Sequence, residues 1–170
     1  AAIPQILHGC VIKYFLTPKL SWNEANPFPH DTFRWKGIDG SEVLTHFNLT
    51  HCWPSPEALL HNARHTVRHK DDCDKKLLAY GFGDGGGGPS YSMAEMARTV
   101  QGLRCLPEAT HTTVSAFMQR IEEDADRLPV YDGELYLELH RGTLTQMHDI
   151  KRSNRKAEIA LHNLELVNVH

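Results

Sequence analysis

The stretch that decides the reading is Leu77-Leu78-Ala79-Tyr80, then Gly81-Phe82-Gly83-Asp84-Gly85-Gly86-Gly87-Gly88-Pro89, then Ser90-Tyr91-Ser92-Met93. The apolar run predicts a short buried strand. A glycine loop follows, and then a helix capped by Ser90 or Ser92, with Met93, Met96, Ala97 and Val100 at helical spacing. Strand, loop and helix in that order form the unit of a parallel α/β layer. Three readings of the loop stay open. It formally contains the G-x-G-x-x-G dinucleotide pattern, but the acidic residue expected about 20 positions on falls near Glu108, away from a strand end, and Asp84 would repel a pyrophosphate. Alternatively, Asp84 is a carboxyl at the C-terminal end of a parallel strand, where α/β barrels place reacting groups. The neighbouring glycines would let a substrate approach the backbone closely. The third reading is a plain turn with a solvated aspartate.

Outward from the loop, elements alternate. Ile3 to Cys10 predicts a helix stopping near Gly9, and Val11 to Leu16 a strand ended by Pro18. The prolines and asparagines of Asn23 to Asp31 predict loop. Phe33 to Lys36 and Val43 to Leu49 read as a hairpin or two adjacent strands around Gly37-Ile38-Asp39-Gly40. Pro56 to Lys70 reads as a helix with Ser55 as cap. Ala109 to Thr113 is expected to be a strand, Val114 to Ala125 a helix, and Leu135 to Leu139 an alternating strand. A long amphipathic helix is expected from about Gln146. The fold class expected is α/β.

Composition narrows the classes. The chain has 170 residues, the size of an average domain, with 18 Lys+Arg against 21 Asp+Glu and a formal net charge of -3. That balance disfavours nucleic acid and anionic membrane as partners. No apolar run approaches the roughly 20 residues of a membrane helix. No signal-peptide pattern is present. Cys10, Cys52, Cys73 and Cys105 form no C-x-x-C pair and read as free thiols of a reducing compartment, which points to the cytoplasm. The chain begins Ala-Ala-Ile-Pro without methionine, which raises the expectation of a piece of something longer.

Four groups of side chains invite a chemical reading. The twelve histidines include His61, His65 and His69 on one helical face, a zinc-capable spacing. Without an accompanying acid and with Arg64 and Arg68 beside them, they also fit a solvated face. Glu134, Tyr136, Glu138 and His140 would share one side of the expected strand, roughly 6.5 to 7 Å between alternate residues, as an acid/base or metal site requires. They equally fit an ordinary half-buried strand. Lys19-Leu20-Ser21-Trp22-Asn23 mixes an aromatic face with polar groups, as sugar sites do, unless Trp22 simply packs under the next loop.

Several of these segments together resemble one family. Tyr14 to Asn23, Phe28 to Phe33, Gly37 to Ser41 with Leu44 to Phe47, Tyr80 to Pro89, and Gly133 to Thr143 occur in the order seen in glycoside hydrolase family 38 α-mannosidases, nearest the cytosolic and bacterial branch. The resemblance covers almost the whole chain. It implies the C-terminal part of a parallel-stranded β/α barrel leading into the first helix of a helical bundle. Residues 1–130 would be the later part of the catalytic barrel, and residues 131–170 its exit strand and the start of the helical middle domain.

The resemblance further implies a zinc-dependent retaining glycosidase that removes terminal α-linked mannose from oligosaccharides. Such an enzyme needs two carboxyl groups about 5 to 5.5 Å apart. Asp84 would be the general acid/base; Lys19, Ser21, Trp22, Glu138 and His140 would contact substrate. The nucleophile and the zinc ligands of the family pattern lie outside this chain, so none of its residues is assigned to metal, and the isolated chain is expected to be inactive. One departure concerns His51: within Asn48-Leu49-Thr50-His51-Cys52-Trp53 it stands where the family has an acidic substrate contact. The expected partners are a mannose-containing oligosaccharide, the remainder of the polypeptide, and other copies of the chain covering open sheet edges. Two rival readings are a non-catalytic carbohydrate-binding or structural module and a histidine-rich metal surface.

Overall fold

Alternation of apolar side chains builds the centre of the molecule, seen in a computed structural model that describes residues 1–65, 73–83, 86–140 and 147–168, the side chain of His65 excepted. Strands β1 (Tyr14–Thr17), β2 (Thr32–Lys36), β3 (Glu42–Phe47) and β6 (Val130–Asp132) form one sheet in the order β1-β3-β2-β6. Helix α1 (Ile3–Gly9) precedes β1. β1 runs parallel to β3, and β6 parallel to β2, while β2 and β3 form the expected antiparallel hairpin. The turn between them is closed by the Gly37 N–H donating to the Ser41 carbonyl at 2.8 Å. A second sheet pairs β4 (Leu49–Cys52) with β5 (Leu78–Tyr80) in parallel. Among the described residues no barrel closes; the class is mixed α/β.

Because strand side chains alternate between faces, the first sheet feeds two cores. On one face Leu44, with Tyr14 and Leu16 at its border, meets Phe117, Met118 and Ile121 of helix α4 (Val114–Glu122), together with Cys73, Leu77 and Leu128. On the other face Phe33, Trp35 and Phe47 pack with Leu20, bordered by Phe15, Phe28, Tyr131 and Leu135. Phe28 is the hub of that aromatic cluster, its ring centroid 5.0 Å from Phe33, 5.2 Å from Phe47 and 4.8 Å from Tyr131. β3 is central, and Val43 to Phe47 are all buried.

Helix α2 (Pro56–His65) starts as expected, with the Ser55 hydroxyl accepting from the Ala58 N–H at 3.3 Å; its expected continuation to Lys70 lies outside the described residues. Ser90 caps α3 (Tyr91–Thr99) and Thr113 caps α4.

Two expected strands are absent. Ala109 to Thr113 belongs to no strand. Leu135 to Leu139 keeps its in-out alternation as far as Leu137, yet its neighbourhood has no ladder. The carbonyls there are taken by side chains: Gly133 accepts from the Trp35 indole at 2.8 Å and Tyr136 from the Asn23 amide at 2.8 Å.

The chain divides into two units, Ala1–Leu137 and Glu138–His170. The second carries helix α5 (His148–Asn168), whose residues are all exposed, Ile150, Leu161 and Leu164 included. No helix among the described residues is long and apolar enough to cross a membrane.

Candidate functional site

The chain leaves β1 at its C-terminal end and turns at once into a single 3-10 turn, Lys19–Trp22. Leu20 is buried in the aromatic core and anchors the turn from beneath. In a 3-10 turn residues three apart eclipse one another. Lys19 therefore lies over Trp22, its ammonium 3.9 Å from the ring centroid, a cation–π contact that holds the ring at a fixed angle. The Lys19 N–H donates to Thr17 Oγ1 at 3.2 Å, and the buried Asn23 ties the end of the turn to the Tyr136 carbonyl. Ser21 Oγ is buried and finds no hydrogen-bond partner among the described residues. The structure thus carries Lys19, Ser21 and Trp22 on one short turn, with the Ser21 hydroxyl buried.

Asp84, with Gly85, lies outside the described residues; the frame of its loop does not. After β5 the chain passes Gly81 and folds back, the Phe82 N–H donating to the Gly88 carbonyl at 2.8 Å and the Gly88 N–H returning to Phe82 at 2.9 Å. Three glycines are required by this fold-back. Gly81 has φ +130, and a Cβ there would sit 2.9 Å from the Gly88 carbonyl carbon. A Cβ on Gly87 would meet Phe82 at 2.9 Å, and one on Gly83 would collide with the His51 imidazole. His51 is exposed on β4 with φ 59, a left-handed backbone that is uncommon for a non-glycine residue.

Glu138 and His140 fall in the second unit, on a loop rather than the expected strand. Glu138 is half-buried, and His140 is exposed with φ 60. Of the histidine triplet, His61 is exposed on α2, while His69 and the His65 side chain lie outside the described residues. Among the described residues no three His, Cys, Asp or Glu side chains converge. The described donors therefore do not fit a zinc site.

Two polar networks escape sequence reasoning. His46, fully buried on β3, shares a hydrogen bond with Thr32 Oγ1 at 2.8 Å and receives one from the Leu77 N–H at 3.4 Å, with Phe117 edge-on at 4.9 Å. Burial, reinforced by the Lys76 charge, pushes its pKa from 6.5 down to about 3. Lys76 in turn pairs with the buried Asp31 at 3.1 Å. The second network runs Gln101–His111–Tyr80 at the end of β5. The central position of β3 was the available signal for the first, because a strand apolar on both faces carries its one histidine inside.

The sequence of this chain is similar to those of known proteins. The family description "Glycosyl hydrolases family 38 N-terminal domain" covers residues 1–134. Alpha-mannosidase 2C1 of Homo sapiens is 41% identical over 170 residues, covering 98% of this chain and 16% of that protein. Alpha-mannosidase G of Dictyostelium discoideum is 41% identical over 169 residues, with coverages of 98% and 16%. An alpha-mannosidase of Saccharomyces cerevisiae is 37% identical over 177 residues, with coverages of 97% and 16%. The chain thus spans about a sixth of the length of these relatives. With 134 of its 170 residues inside the family's N-terminal domain, the chain belongs to glycosyl hydrolase family 38.

Proposed function

We propose that this chain is the part of a zinc-dependent retaining α-mannosidase that carries the acid/base loop. Its two sheets would be part of a β/α barrel completed by the remainder of the polypeptide, with the segment after residue 130 leading into a helical domain. The observation that carries this reading is the frame of the glycine loop: a parallel strand ends, and two backbone hydrogen bonds between Phe82 and Gly88 pin a five-residue tip that contains Asp84. In the proposed reaction Asp84 protonates the departing glycosidic oxygen as the bond to the anomeric carbon breaks. It then takes a proton from the water that releases mannose. The covalent partner at the anomeric carbon is a carboxylate supplied from outside this chain, as is zinc. Trp22, steadied by Lys19, offers an apolar face to a sugar ring, and Glu138 and His140 are further proposed contacts. The substrate is a mannose-containing oligosaccharide. The four free thiols suit a reducing, cytoplasmic setting.

The test is hydrolysis of a chromogenic α-mannoside by the intact polypeptide. The wild type should cleave with retention of anomeric configuration. Asp84→Asn should lose activity about 100-fold or more, and the 170-residue chain alone should be inactive. Full activity of Asp84→Asn would refute the assignment.

One observation favours a second reading, a non-catalytic sugar-binding module: the imidazole of His51 packs against Gly83, at the position where the resemblance implies an acidic substrate contact. Mannoside binding by the intact polypeptide without turnover would select it.

A further inference from the structure

Tyr80 ends β5, opposite Cys52 of β4, and the Gly81 N–H beside it donates to the Cys52 carbonyl at 3.4 Å. Tyr80 therefore stands at the base of the glycine loop. The hydroxyl lies 3.2 Å from His111 Nε2, and His111 Nδ1 lies 2.9 Å from the Gln101 side-chain nitrogen. The hydrogen-bond inventory of these groups sets a direction. The Gln101 amide donates to Nδ1, so Nδ1 is an acceptor and the ring proton sits on Nε2. Nε2–H then donates to the phenol oxygen, and the phenol's own proton remains uncommitted to His111. The result is a half-buried aromatic ring whose O–H is left available as a donor, in a network of three side chains of which none is Lys, Arg, Asp or Glu.

Neutral donors beside an aromatic face suit a sugar hydroxyl better than an anion. We propose that Tyr80 is a sugar-contacting hydroxyl donor at the loop base and that His111 is a positioning residue acting through it. This inference rests on the mannosidase reading above and adds a specificity contact to it.

The experiment uses the intact polypeptide and two readouts, kcat and KM for a chromogenic α-mannoside and the affinity for an S-linked α-mannobioside, which cannot be hydrolysed. Tyr80→Phe should weaken S-linked ligand binding about fivefold to tenfold, the worth of one neutral hydrogen bond, and should raise KM more than it lowers kcat. His111→Ala should do nearly as much, the double variant should be no worse than Tyr80→Phe, and His111→Gln, which keeps an N–H donor, should recover most of the loss. Unchanged affinity in Tyr80→Phe, or additive losses in the double variant, would overturn the proposal. So would a wild type that fails to bind the S-linked ligand. A wild type that binds it, loses affinity in Tyr80→Phe and never cleaves a mannoside would support the contact while refuting the mannosidase reading.

Discussion

Lowering the pH from 7 to 5 should destabilise this chain through His46. In the folded state the imidazole is enclosed by Thr32, Phe117 and the Leu77 amide, and its pKa falls to about 3 from 6.5. The cause is burial first and the Lys76 charge second. The hydrogen bonds make the same point: Nε2 accepts from the Leu77 N–H, so a proton on Nε2 would face another donor. As the pH drops below 6.5 the unfolded chain binds a proton that the folded chain refuses. Stability therefore falls at up to about 1.4 kcal/mol per pH unit until the folded form also titrates. At pH 5, about 1.5 units below the ordinary imidazole value of 6.5, the loss is about 2 kcal/mol; the whole window is worth on the order of 5 kcal/mol. The carboxylates with lowered pKa, Asp39, Glu57 and Asp124, act in a more acidic window, since their stabilisation is lost as the pH falls through values below the carboxylate range. Urea unfolding followed by tryptophan fluorescence, with Trp35 buried in the core, reads the effect between pH 7 and 5. His46→Gln should be less stable at pH 7 by about 1 to 3 kcal/mol and nearly flat across that window. A variant with the same pH slope as the wild type, or an NMR titration of His46 near 6.5, would refute the reasoning.

Three further outcomes are expected. Gly83→Ala should lower the thermal midpoint, because its methyl group meets the His51 ring, by an amount equivalent to about 1 to 3 kcal/mol; adding His51→Ala should restore most of it. Lys76→Met should destabilise the fold by about 3 kcal/mol or more by leaving Asp31 buried and unpaired, and Asp31→Leu in the same background should recover stability in a urea titration. Ile121→Ala, at a fully buried position under the sheet, should cost about 2 to 5 kcal/mol with an unchanged far-ultraviolet spectrum.

What the sequence discloses here is local chemistry. Proline at the head of α2, serine before α3 and the Gly37-to-Gly40 turn each act within a few residues, and each appears where expected. One error is local: Val11 adopts φ 61 in the turn that ends α1, its N–H donating to the His8 carbonyl, so the first strand begins only at Tyr14. Another comes from partners distant in sequence. Leu135 to Leu139 alternates like a strand, but the indole of Trp35 and the amide of Asn23 claim the neighbouring carbonyls across about a hundred residues. That Lys19, Ser21 and Trp22 lie together was legible because one turn carries all three. The Tyr80–His111–Gln101 network was not, because it joins a strand end to two loop positions.

The cross-bridge between Phe82 and Gly88 has an evolutionary consequence. Both hydrogen bonds join backbone groups, so they hold whatever side chains the two residues carry. Gly83 and Gly87 have no such freedom, since a Cβ at either would meet His51 or Phe82. Substitution along this loop is therefore filtered by the fold at its glycines, and a relative with altered chemistry here should keep them.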